Sequence, residues 1–82
     1  MTEYTLTSGD TAKVRRQDTF SSCRHGLVYV YHVENKDRPF LYCEAWVYDS
    51  PVINSTIESH GDIGLDGKAV IEAAELHHRA LS

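Results

Sequence analysis

Two runs of strand-forming residues, Leu27 to Glu34 and Phe40 to Asp49, are separated only by Asn35-Lys36-Asp37-Arg38-Pro39. Val, Tyr, Phe and Trp fill both runs, and their branched or aromatic side chains suit a pleated surface. The charges and proline between them suit a surface turn. Side chains alternate across a strand, so the first run sets Leu27, Tyr29, Tyr31 and Val33 against Val28, Val30, His32 and Glu34. The second sets Leu41, Cys43, Ala45 and Val47 against Phe40, Tyr42, Glu44, Trp46 and Tyr48. Neither strand has a clean polar face. A sheet built on this pair therefore has two faces to cover, and the register decides which faces combine, because a one-residue slip exchanges them.

The remaining chain offers little cover. Glu3 to Thr7 and Thr11 to Arg16 alternate polar and apolar residues around Ser8-Gly9-Asp10, which reads as a hairpin with a glycine-containing loop. Gln17 to Gly26 is polar and reads as a connection. Asp49-Ser50-Pro51 breaks the second long strand, and Val52 to Glu58 reads as a further strand. Asp66 to Leu81 has the spacing of a helix, with Asp66 able to cap it. Its apolar face is mostly alanine: Ala69, Ala73, Ala74 and Ala80, with Val70, Leu76 and Leu81. Glu75 and Arg79 are spaced for an i,i+4 ion pair. Such a helix lies close against a sheet, and Cys43, Ala45 and Val47 are its natural floor. The aromatic row of Phe40, Tyr42, Trp46 and Tyr48 is left on the far side, covered either by the N-terminal hairpin or by another molecule. Large exposed apolar patches mark interaction sites, with Tyr and Trp as common anchors. The expected fold is α+β: an antiparallel sheet of four to five strands with one C-terminal helix on one face, a single domain spanning residues 1–82.

The net charge of −4 disfavours a general nucleic-acid or anionic-membrane binder, whose contacts rest on Lys and Arg meeting phosphate. Charge is uneven: net +1 over residues 1–26, −2 over 27–49 and −3 over 50–82. No run approaches a membrane span and no secretory pattern opens the chain, so a cytoplasmic setting is expected, with Cys23 and Cys43 as free thiols. A Cys23–Cys43 disulfide is the alternative, worth about 3 kcal/mol in the loop-entropy model.

Candidate chemistry is sparse. His77 falls near the centre of the helix's apolar face, where a core histidine needs a hydrogen-bond partner and burial disfavours its charged form. Cys23, His25, Cys43, His60, His77 and His78 supply zinc-ligand types, but without the paired spacing of a zinc site. His32 and Glu44 near Tyr42 form an acid/base pair only if a cleft holds them. No phosphate-binding glycine loop, nucleophile elbow or H-E-x-x-H is present, so neither an enzyme nor a cofactor is expected. Arg15 and Arg16, with Lys13 and Arg24, form the one basic cluster and read as a solvated edge. The helix from Gly64-Leu65-Asp66-Gly67-Lys68-Ala69 onward resembles the closing helix of a double-stranded RNA-binding domain. Its lysine-rich start is represented by Lys68 alone and the family's first helix has no counterpart, so no function is carried over.

These features point to a small acidic protein-interaction module, dimeric or bound to a foreign protein. One form is a phage or mobile-element accessory protein that inhibits a host complex by occupying its surface. Phe40, Tyr42, Trp46 and Tyr48 are the candidate contacts, with Glu44, Asp49, Glu72 and Glu75 as acidic contributors. The alternatives are a ligand-binding or minor enzymatic domain using His32, Glu44 and His77, and a weak nucleic-acid module using Arg15 and Arg16.

Overall fold

The computed structural model describes the backbone of all 82 residues and the side chains of all but Ser59 and His60. Five strands, β1 (Thr2–Thr5), β2 (Thr11–Ser22), β3 (Gly26–Asn35), β4 (Arg38–Tyr48) and β5 (Thr56–His60), precede one helix, α1 (Gly67–Ala80). The strands form a single antiparallel meander in the order β1-β2-β3-β4-β5, with α1 packed on one face: the expected α+β architecture. No helix among the described residues is long and apolar enough to cross a membrane.

The register of β3 against β4 fixes the two faces. Tyr31 lies opposite Ala45 and Val33 opposite Cys43, while Val30 lies opposite Trp46 and His32 opposite Glu44. Tyr31, Val33, Cys43, Ala45 and Val47 thus share the helix side and are buried against Ala69, Val70, Ala73 and Ala74. Small residues on both surfaces let α1 sit close to the strands. Its start is set by Asp66, whose carboxylate accepts the Ala69 amide at 2.9 Å.

Three sequence expectations are corrected. Gln17 to Ser22 is strand rather than connection, since β2 runs on to Ser22, paired with β3 from Asp18 opposite Val30 to Ser22 opposite Gly26. The segment is polar because it is an edge: β1 covers β2 only from Thr11 to Val14. The fourth connection also differs. Val52 is 86% exposed in the turn after β4, and the last strand begins only at Thr56, opposite Trp46. Glu75 pairs not with Arg79 but with Ser55, whose hydroxyl donates to Oε2 at 2.8 Å. Cys23 and Cys43 are free thiols, exposed and buried respectively.

The N-terminal hairpin does not fold over the aromatic row. Gly9, at φ 91°, closes the β1–β2 loop, and β1 joins the same sheet as its edge strand. A 14-residue helix is about 21 Å long, against a longest molecular axis of 37 Å. Among the described residues, no other element covers the face opposite α1.

Candidate interaction surface

The open face is built from the alternate residues of β2, β3 and β4. Val28 and Val30 form its floor and are 1% and 5% exposed although no element lies above them. Their cover comes from neighbouring rings. Phe20 meets Trp46 edge-on at 5.1 Å, and His25 meets Tyr48 edge-on at 5.3 Å. His32 stacks on Tyr42 at 4.4 Å with the rings 18° apart.

Polar bonds hold this layer in place. The Trp46 indole donates to Glu44 Oε1 at 3.1 Å and the Gln17 amide donates to Glu44 Oε2 at 3.1 Å. His32 Nε2 lies 2.9 Å from Glu34 Oε1. Rings whose rotamers are already fixed lose little conformational entropy on binding. The layer is therefore a preorganised platform, with Tyr42 its most open member at 48% exposure.

Of the candidate contacts, Tyr42, Glu44, Trp46 and Tyr48 come together on this face. Phe40 lies beyond it near the β3–β4 turn, fully solvated. Asp49 follows β4, its amide donating to the Leu27 carbonyl at 3.0 Å. Glu72 and Glu75 lie on α1, across the sheet from the platform. Each is tied to a loop: Glu72 accepts from the Thr7 amide and hydroxyl, Glu75 from Ser55. Phe20, Gln17, His25 and His32 join the platform without having been singled out as contacts. Phe20 and Gln17 were hidden in a segment too polar to read as a strand.

The same register bears on the alternatives. His32 and Glu44 are cross-strand neighbours, but each has another partner, and His77 lies on the far side of the sheet under α1. The sheet itself separates His77 from the other two. Arg15 lies opposite His32, toward the open face, whereas Arg16 turns to the helix side over the Tyr29 and Tyr31 rings, so the basic pair is split. Among the described residues no group of three His, Cys, Asp or Glu side chains is arranged to hold a metal, and the side chain of His60 lies outside them.

A second polar cluster sits where the end of α1 meets β1, β2 and β3. Arg16 donates to the Tyr31 hydroxyl from Nη2 at 2.9 Å and from Nε at 3.3 Å. Because Arg can only donate, the Tyr31 proton is directed to His78 Nδ1, 2.7 Å away. That bond requires His78 to be neutral at Nδ1. The Tyr4 hydroxyl likewise lies 2.7 Å from His77 Nδ1. Burial, reinforced by Arg16, holds both histidines below the usual imidazole range; the chain's amino terminus adds to this at His77, while Asp49 and Glu75 oppose it at His78. Burial pushes the Tyr31 phenol up, against the pull of Arg16. His77 is thus a bonded core histidine.

Comparison with protein-family models, with curated proteins and with solved structures finds no match to this chain.

Proposed function

We propose that this chain is a protein-interaction module that binds a protein partner through its open sheet face. The observation that carries the reading is the ordered ring layer of Phe20, His32, Tyr42, Trp46 and Tyr48 over Val28 and Val30, on a face that no other element covers. Aromatic anchors with a polar rim are the composition of a binding hot spot. Arg15, Glu34 and Glu44 supply that rim with both signs of charge. In its finer form the proposal is an accessory protein, of phage or mobile-element type, that acts in the cytoplasm by occupying the surface of a host complex. The net charge of −4 supports this by favouring targets with basic surfaces.

The test pairs Tyr42→Ala and Trp46→Ala with Glu72→Gln, a control on the opposite layer. A partner captured by the wild-type chain is purified and titrated against all four proteins by calorimetry. Tyr42→Ala and Trp46→Ala are expected to weaken binding by about thirtyfold or more, the scale of a lost hot-spot anchor. Glu72→Gln is expected to bind as wild type. Equal binding by all four proteins, with the variants' thermal unfolding unchanged, would overturn the assignment.

A further inference from the structure

The pairing of β3 with β4 slips where it nears the turn. Tyr42 lies opposite Glu34 and Arg38 opposite the very next residue, Asn35, so Pro39, Phe40 and Leu41 have no cross-strand partner. The excess pushes a short apolar knob out of the sheet. Phe40 is 95% exposed at its tip, with Leu41 at 43%. An isolated exposed apolar residue needs no explanation, but a bulge that presents one is a built feature.

Beside the base of this knob the surface holds an apolar pocket of about 280 Å³, lined by Cys43, Ile57, Gly61, Leu65, Gly67 and Val70. A cavity of about 150 Å³ lined by aliphatic side chains takes up benzene, so a phenyl ring fits. Charge follows the same division. Lys36, Asp37 and Arg38 lead into the knob with a net charge of +1, and Asp62, Asp66 and Lys68 adjoin the two glycines of the pocket with a net charge of −1. The knob and the pocket also adjoin. A Cβ at Gly64, in the loop between the pocket's Gly61 and Leu65, would lie 3.4 Å from Arg38 Nε.

An apolar projection beside an apolar hollow, with net charges of opposite sign next to the two, is self-complementary about a two-fold axis. A two-fold contact brings each knob to its partner's pocket and uses the same patch on both copies, which closes the assembly at two. We infer that the chain forms a two-fold dimer in which Phe40 of each copy enters the Cys43–Ile57–Leu65–Val70 pocket of the other, with Arg38 facing Asp62 and Asp66. This contact is separate from the open sheet face and does not depend on the function proposed for it.

Sedimentation equilibrium of the wild-type chain from micromolar to about 1 mM tests the inference against three variants. Phe40→Asp removes the knob at a solvated position. Gly67→Leu fills the pocket: Gly67 has no positive φ, and a Cβ there meets Ile57 Cδ1 at 3.4 Å. Trp46→Ala alters only the open face. A wild-type dimer that Phe40→Asp and Gly67→Leu each weaken by about thirtyfold or more, and that Trp46→Ala leaves intact, is the expected result. A chain that stays monomeric throughout the range overturns the inference. So does a dimer indifferent to Phe40→Asp. A dimer lost only in Trp46→Ala also overturns it, and moves the second copy onto the open face.

Discussion

Tyr31 joins the guanidinium of Arg16 to the imidazole of His78, and its hydroxyl has one proton to give. Protonating His78 at Nδ1 removes the acceptor and sets a cation beside Arg16. His77 is held down by burial first and then by the charges of Arg16 and the amino terminus. Both folded-state pKa values are lowered from 6.5, so the unfolded chain binds more protons on the acid side of that value. Stability from this source is complete above about pH 6.5 and is lost as the pH falls through the lower, folded-state values. Urea midpoints measured at intervals downward from pH 8 are therefore expected to fall below about pH 6.5. The doubly substituted chain His77→Gln with His78→Gln is expected to lose most of that limb. An identical limb in the double variant would assign the acid sensitivity elsewhere. Little of this cluster can be read from the sequence. His77 announces itself by its place on an apolar helix face, but Arg16, Tyr31 and His78 are joined only by a register that strand alternation alone does not fix.

At the scale of elements, what could be read was size and spacing. Cys43, Ala45 and Val47 are small enough to floor an alanine-faced helix, and they do. Asp66 stands where a cap belongs and accepts the Ala69 amide. Asp66→Ala is expected to cost about 1 kcal/mol, read as a lower urea midpoint at unchanged slope, while Asp66→Asn keeps most of the stability. What could not be read were elements defined by their neighbours. The second half of β2 has one large apolar residue, Phe20, and is strand because β3 pairs with it. Conversely, Val52 and Ile53 attract a strand assignment, yet the chain spends them on reversing direction so that Ile57 can reach the core. Half of the platform was legible as the aromatic row of β4. The other half depends on Phe20 and His32 arriving beside it.

The whole molecule is a sheet with unequal sides: one closed by α1 and its alanines, the other finished only by its own rings. Every strand neighbours the next in sequence, so the fold places no crossover over the platform and leaves that face clear. The Tyr4–His77 hydrogen bond has a further consequence for the path of the chain. It brings the first strand and the last helical turn to one corner, with Met1, Leu81 and Ser82 exposed around it. The two ends can then be tied by a short flexible linker and the chain reopened at Val52, in the solvated turn. Such a circular permutant is expected to keep the far-ultraviolet spectrum and cooperative unfolding of the parent. Loss of cooperativity would mean that the β4–β5 turn, rather than the terminal corner, holds the sheet and helix together. The same corner makes either end a place to attach a label or a surface tether on the helix side, leaving the ring-covered face turned outward.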